Sequence, residues 1–288
     1  MPELPEVETV RSQLASEIVN KKIKDINIRM SKLIRSPLAQ FKRVVAGSAV
    51  STVERRAKIL LIGLDSGYTI LIHLKMTGQL VFKGKGRIKG GGHPIKDGTV
   101  GLPNKYSHIF FIFTDGTKLF FNDLRQFGYM RLVKNENLKE IFTNAKLGPE
   151  PLSGKFSYKQ FEELLNNRKN SKIKPLLMDQ TFIAGIGNIY AIETCFAAGV
   201  RPTRRVGSLT KSEKKKIYDN LIRILKLAVR KQGTSAKNFV DAYGEPGNYV
   251  PLLKIYGRRG QPCRQCRTTI KAIHLGGRGT TYCPKCQK

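Results

Sequence analysis

Two Cys-x2-Cys pairs close the chain, Cys263 with Cys266 and Cys283 with Cys286, and sixteen residues separate them. Each pair turns the backbone so that two sulfurs face one tetrahedral ion, and four thiolates leave no open coordination position. The pattern therefore predicts one structural Zn2+ and a small terminal module over 252–288. A redox Cys-x-x-Cys is the poorer alternative, because both pairs fall within one short hairpin. Four of the five cysteines lie in this stretch, which argues for metal ligation in a reducing compartment rather than a disulfide scaffold. The fifth, Cys195, sits in an apolar helical run and reads as a small buried side chain.

After Glu245 no acidic residue follows, while nine Lys or Arg do. The whole chain of 288 residues carries 52 Lys and Arg against 21 Asp and Glu, a net charge of +31. That excess points to a polyanionic partner, with nucleic acid first. No apolar stretch approaches the length of a membrane span, and the acidic start does not read as a signal peptide. The expected location is cytoplasmic or nucleoid-associated, not secreted. On the cysteine module alone, a ribosomal or transcription-factor zinc ribbon stays open.

Upstream, Val7, Val10, Leu14 and Ile18 recur at helical spacing. From Ile23 to about Val133 the pattern becomes short strands: Lys58–Leu64, Thr69–Leu74, His108–Thr114 and Lys118–Asn122. Asp65-Ser66-Gly67 and Asp115-Gly116 give hairpin signals. This predicts a β-sandwich domain over 1–134 flanked by the N-terminal helix. Inside it, the Gly/Lys-rich stretch 83–105 reads as an exposed, mobile basic loop. Residues 135–155 read as a linker and 156–251 as helical. There, an apolar helix through Lys174 runs into Ile183-Ala184-Gly185-Ile186-Gly187, and Asn188 opens the next helix. Glycines at such a turn let a phosphate approach backbone amides, although they serve equally for helix packing.

Pro2 follows the initiator methionine. Once Met1 is removed, Pro2 is an N-terminal secondary amine that titrates far below a lysine, so more of it is nucleophilic at neutral pH. Its attack on a sugar carbon yields an iminium. Alone, a small second residue signifies only methionine removal.

The parts in this order resemble the formamidopyrimidine-DNA glycosylase family across almost the whole chain. The carriers are MPELPEVE, Leu74-Lys75-Met76-Thr77-Gly78, Asn122 to Gly128 (NDLRQFG), MDQTFIAGIGNIY, and the GGRGTTYCPKCQ end. The resemblance implies an α+β multidomain fold: an N-terminal β-sandwich, a helix-two-turn-helix domain and a four-cysteine zinc finger. It implies a base-excision enzyme that removes oxidised purines and nicks the strand by β,δ-elimination. Pro2 would be the nucleophile, Glu3 the acid that opens the sugar ring, and Glu6 their neighbour. Lys58 would act near the base and 3′ phosphate, and Arg278 at the phosphate during the late elimination. Met76, Arg125 and Phe127 would fill the void left by the extruded nucleotide. His73, His108, Lys174, Asn188 and Tyr256 would contact the DNA backbone, although His108 also reads as a satisfied structural histidine. The stretch Gly233–Tyr249 would cover the flipped base.

Leu4 stands where the related endonuclease VIII branch has Gly, which favours purines. Gln126 departs from a second basic residue, and Ile192 from a small or acidic one. The resemblance implies a monomer whose partner is damaged double-stranded DNA, with no nucleotide cofactor. Rival readings are an oxidised-pyrimidine glycosylase and a noncatalytic DNA-binding protein on the same scaffold.

Overall fold

A computed structural model describes residues 1–84, 87–92, 98–234 and 248–288, which fall into two compact units. The first comprises Met1–Thr143 with Val229–Val250, and the second Asn144–Ala228 with Pro251–Lys288.

The first unit opens with α1 (Leu4–Ile18), followed by β1 (Ile23–Ile28), α2 (Leu38–Val45) and β2 (Val50–Arg56). Then come β3 (Ile59–Leu64), β4 (Tyr68–His73), β5 (Gly78–Gly84), β6 (Arg87–Gly92) and β7 (Ser107–Phe113). β8 (Lys118–Asp123), β9 (Tyr129–Lys134) and α3 (Leu138–Asn144, whose last residue belongs to the second unit) complete the run. Two antiparallel sheets form, ordered β1-β7-β8-β5-β6 and β2-β3-β4-β9. Their facing sides share one apolar core with α1: Val10 and Leu14 pack with Leu60, Ile62, Ile72, Leu80, Phe111 and Phe121. The sandwich read from short strands and hairpin signals is thus present.

The strands are more apolar than a half-exposed sheet requires because their outer faces are also covered. Leu61, Leu71 and Val133 pack under Leu138, Ile141 and Phe142 of α3, which lies inside the segment read as linker. Val81, Phe110 and Phe120 pack under Leu102.

Two expectations about extent change. α1 starts at Leu4, earlier than the apolar periodicity begins, because Glu6 reaches back and accepts the Glu3 N–H at 2.9 Å. The segment 83–105 is not simply a loop: β6 pairs antiparallel with β5, Gln79 opposite Gly92 through Gly84 opposite Arg87. Gly90–Gly92 hide this strand because glycine has low strand propensity. Here its missing side chain is required: Gly92 has φ 127°, and a Cβ would run into the backbone of Gly78 and Gln79. Residues 85–86 and 93–97 of that segment lie outside the described residues.

The second unit holds α4 (Tyr158–Asn166), α5 (Ile173–Met178), α6 (Asn188–Ala197) and α7 (Lys211–Arg230, whose last two residues belong to the first unit). It ends in the hairpin β10 (Lys271–Leu275) and β11 (Arg278–Tyr282). The Ser157 hydroxyl caps α4 by accepting the Gln160 N–H. Phe156, Phe161, Phe182 and Tyr218 meet edge-on or tilted at 5.7–6.3 Å between ring centres. Among the described residues, no helix is long and apolar enough to cross a membrane.

Candidate active site and nucleic-acid interface

The capping geometry of α1 places the N-terminal residues. Pro2 is buried, Glu3 is the N-cap residue, and Pro5 suits the first turn. Glu3, Glu6 and Lys58 are 4%, 2% and 6% exposed, so three ionisable side chains share a nearly dry site. Burial pushes the Lys58 amine below its ordinary pKa, and the Glu3 and Glu6 carboxylates oppose that shift. Lys58 follows Ala57, whose φ of 55° turns β2 into β3, and Arg55 holds this turn by donating to the Ala57 carbonyl at 2.8 Å. Arg55 also pairs with Glu8 of α1 at 3.0 Å, which ties the lysine-bearing turn to the helix that follows Pro2 and Glu3.

Glu6 does more than neighbour the site. Its carboxylate accepts the Glu3 N–H and, at 2.7 Å, the Thr234 N–H. Gly233, at φ 85°, lies so near that a Cβ would sit 3.0 Å from Glu6 Cγ. Thr234 bridges Asn248, and Tyr249 N–H donates to the Gly233 carbonyl. Glu6 thereby anchors the base of the stretch read as covering the flipped base, most of which (235–247) lies outside the described residues.

Two turns of the same unit present the expected void-filling side chains. Met76 is 37% and Phe127 52% exposed, and the Arg125 guanidinium lies 4.8 Å from the Phe127 ring centre. One carboxylate organises both turns. Asp123, fully buried, accepts from the Thr77 hydroxyl, from Arg125 N–H at 3.2 Å and from Gly128 N–H at 2.7 Å. His108 Nε2 lies 2.8 Å from the Asp123 carbonyl, so this histidine is buried and engaged within the fold. His73 Nδ1 accepts the Lys75 N–H at 3.0 Å. Burial, aided by Lys75, Lys58 and Arg35, lowers its pKa to about 3, so the ring is neutral at physiological pH.

In the second unit, Gln180 secures the glycine turn. Its Oε1 accepts the Gly185 N–H at 2.9 Å, and its Nε2 donates to the Met178 and Ile186 carbonyls, each at 2.8 Å. Asn188 opens α6 and donates to the Gly279 carbonyl of the β10–β11 hairpin at 3.1 Å. Arg278 is exposed at that hairpin's tip, whereas Lys174 is fully buried on α5. Tyr256 is positioned by Glu193. The buried Glu193 carboxylate accepts the N–H groups of Lys254, Ile255 and Tyr256 at 2.8–3.1 Å. Sequence reading assigns Asp123, Gln180 and Glu193 no role, although the first two stand in quoted motifs, because their partners are mostly backbone N–H and carbonyl groups, which carry no residue signature.

The sulfurs of Cys263, Cys266, Cys283 and Cys286 all lie within 4.8 Å of one another. Cys266 and Cys283 approach to 3.4 Å, and Cys263 and Cys286 to 3.9 Å. A tetrahedron with Zn–S bonds of about 2.3 Å has edges of about 3.8 Å, so the donors fit one structural Zn2+. Amides of Gln265 and Cys286 point at Cys263 and Cys283 Sγ, and the fully buried Gln287 accepts the Cys283 N–H at 2.9 Å.

Comparison with known proteins covers all three parts. Residues 1–130 match the formamidopyrimidine-DNA glycosylase N-terminal domain, 147–240 its H2TH domain, and 260–288 the zinc finger found in FPG and IleRS. A formamidopyrimidine-DNA glycosylase of Pelotomaculum thermopropionicum is 40% identical, over 100% of this chain and 99% of that protein. Among solved structures, Lactococcus lactis Fpg in complex with DNA containing an abasic site aligns with a TM-score of 0.87. It is 32% identical, over 99% of both chains. MutM in complex with DNA containing carbocyclic 8-oxo-G aligns at 0.88, also 32% identical, over 100% of both. With sandwich, helical turn and four-cysteine finger all matched end to end, the chain belongs to the formamidopyrimidine-DNA glycosylase family.

Proposed function

We propose that this member of a DNA-repair glycosylase family is bifunctional, excising oxidised purines from duplex DNA and then cleaving the strand at the resulting sugar. The observation that carries this reading is the dry cluster of Glu3, Glu6 and Lys58 at the start of α1, where the buried Pro2 adjoins Glu3. Buried charge of this kind is costly to fold and concentrates where chemistry needs it.

After Met1 is removed, the Pro2 nitrogen attacks C1′. The N–C1′ bond forms, the glycosidic bond breaks, and the base leaves with its electron pair and takes up a proton. Glu3 donates a proton to the ring oxygen as the sugar opens, giving the Pro2 iminium. Loss of a C2′ proton lets the 3′ phosphate depart, and a second elimination releases the 5′ phosphate. Water then frees the amine. Lys58 donates to the base or 3′ phosphate, and Arg278 stabilises phosphate charge in the eliminations. Phe127 wedges the duplex, Arg125 faces the orphaned base and Met76 fills the gap. His73, Asn188 and Tyr256 hold the backbone. The roles carried over for Lys174 and His108 act through the fold, since both side chains are buried.

A lesion panel tests the reading. Duplexes with 8-oxoguanine:C, a formamidopyrimidine or thymine glycol are incubated with the processed protein, and the free base and strand ends are measured. Purine release with doubly phosphorylated gap ends is expected. Preferential cleavage at thymine glycol would replace purines with pyrimidines, and tight binding without cleavage of any duplex would leave only a DNA-binding protein.

A further inference from the structure

The turn carrying Arg125 and Phe127 has a second side. Together with Lys32, Arg35, Lys75 and Tyr129, its Gln126–Gly128 segment bounds a cleft of about 430 Å³ within the first unit. Three lining side chains are cations and none is acidic. Among the described residues, no carboxylate pairs with Lys32, Arg35 or Lys75. The Arg35 guanidinium lies 3.7 Å from the Tyr129 ring centre and Lys75 Nζ 5.8 Å from the same centre. Tyr129 thus gathers two like charges that no ion pair among the described residues neutralises. Stacking leaves the in-plane N–H groups of Arg35 available to a ligand at the ring edge.

The backbone is held against its preference at the same place. Lys75 and Gln126 have φ of 50° and 57°, the left-handed region that side-chain-bearing residues avoid. They sit on two different turns, and both line the cleft. The positive potential is felt nearby, since Lys75 and Arg35 both contribute to the lowered pKa of His73.

The geometry points to a phosphodiester-binding site: the Lys32–Arg35–Lys75 cleft takes one DNA backbone phosphate and so fixes where Phe127 enters the duplex. A phosphate matches the arginine fork bidentately and accepts from the two ammonium groups. Gln126 adds a neutral donor at the rim. The inference rests on the DNA-glycosylase reading, and it assigns binding work to Lys32 and Arg35, outside the motifs read from the sequence, and to Lys75, which stands in one of them without a role.

The test uses the full chain with Met1 removed and a labelled duplex containing a tetrahydrofuran abasic analogue. Affinity is measured by anisotropy across a salt series. The R35Q/K75Q variant is compared with K42Q/R43Q, which removes the same charge from exposed positions of α2. A slope of log K against log salt shallower by about 0.9 than that of K42Q/R43Q is expected, the value for one phosphate contact. Methylphosphonates are then placed one at a time, in the lesion strand and in the opposite strand as separate arms. One position is expected to weaken wild type and leave R35Q/K75Q unaffected, which also assigns the strand. Equal slopes for the two variants, or no such position in either strand, would overturn the site. If loss of the Arg35–Tyr129 stack unfolds the protein, K32Q/K75Q takes its place with the same expected outcome. Borohydride trapping of wild type is read separately, so failed chemistry with an intact phosphate signal is distinguishable from a failed cleft.

Discussion

Replacing Asp123 with Asn exchanges one carboxylate oxygen for a donor and changes nothing in size. The wild-type oxygens serve two directions: Oδ1 takes the Thr77 hydroxyl and the Arg125 N–H, and Oδ2 takes the Gly128 N–H at 2.7 Å. Whichever way the amide is turned, its NH2 meets a donor. With Oδ1 kept, the Gly128 N–H faces an NH2 group; with the amide reversed, Arg125 N–H falls back on its 2.9 Å bond to the Thr77 hydroxyl, whose own acceptor is lost. One buried unsatisfied N–H costs about 1–3 kcal/mol, and exchanging charge-assisted for neutral bonds adds roughly 1 kcal/mol. D123N should therefore lose about 2–4 kcal/mol in urea denaturation. Because the same atoms fix the turns carrying Met76, Arg125 and Phe127, base release under single-turnover conditions should slow by more than tenfold. Affinity for undamaged duplex should change little, since no cation is removed. T77V, which keeps the carboxylate and removes one hydroxyl, should fall between wild type and D123N. Wild-type stability and wild-type excision by D123N would refute the argument that Asp123 organises both turns.

His73 titrates near 3 in the fold against about 6.5 unfolded, so the unfolded chain binds more protons between those values. Its contribution is complete above pH 6.5 and is lost as pH falls towards 3. The H73Q variant should show a shallower stability–pH curve across that window, by at most about 1.4 kcal/mol per pH unit; an unchanged curve contradicts a buried neutral ring. E193A leaves the Lys254, Ile255 and Tyr256 amides without their carboxylate, the Ile255 amide being buried, and should destabilise the second unit by on the order of 2 kcal/mol. Hydrogen exchange should rise first at Lys254–Tyr256, and uniform exchange would show that Glu193 does not hold this segment. Chelating zinc should unfold the β10–β11 module and abolish DNA binding while the sandwich keeps its cooperative thermal transition. Loss of both together would show that the sandwich depends on the finger.

Much of the molecule was legible because its signals are local. Thiolate spacing, the helical stripe of α1 and the short strands with their hairpin signals each depend on residues near one another in the chain. What stayed hidden depends on long-range partners. Asp123 stands in the NDLRQFG motif, but nothing local to it reveals its role, which lies in reaching Thr77. Glu193 caps amides some sixty positions away, and Glu6 reaches Thr234 across most of the chain. β6 was concealed for another reason: glycines chosen for close backbone approach look like loop. His108, singled out by motif, turned out to be engaged at the Asp123 carbonyl.

The central claim is that the amine at position 2 becomes covalently joined to the damaged nucleotide. It is tested most directly by reducing the reaction intermediate with borohydride, digesting the complex and locating the adduct by mass spectrometry. The account predicts a peptide that begins at Pro2, lacks Met1 and carries the sugar remnant on the proline nitrogen. An adduct on Lys58 or another lysine, or on a chain that still bears Met1, would contradict it.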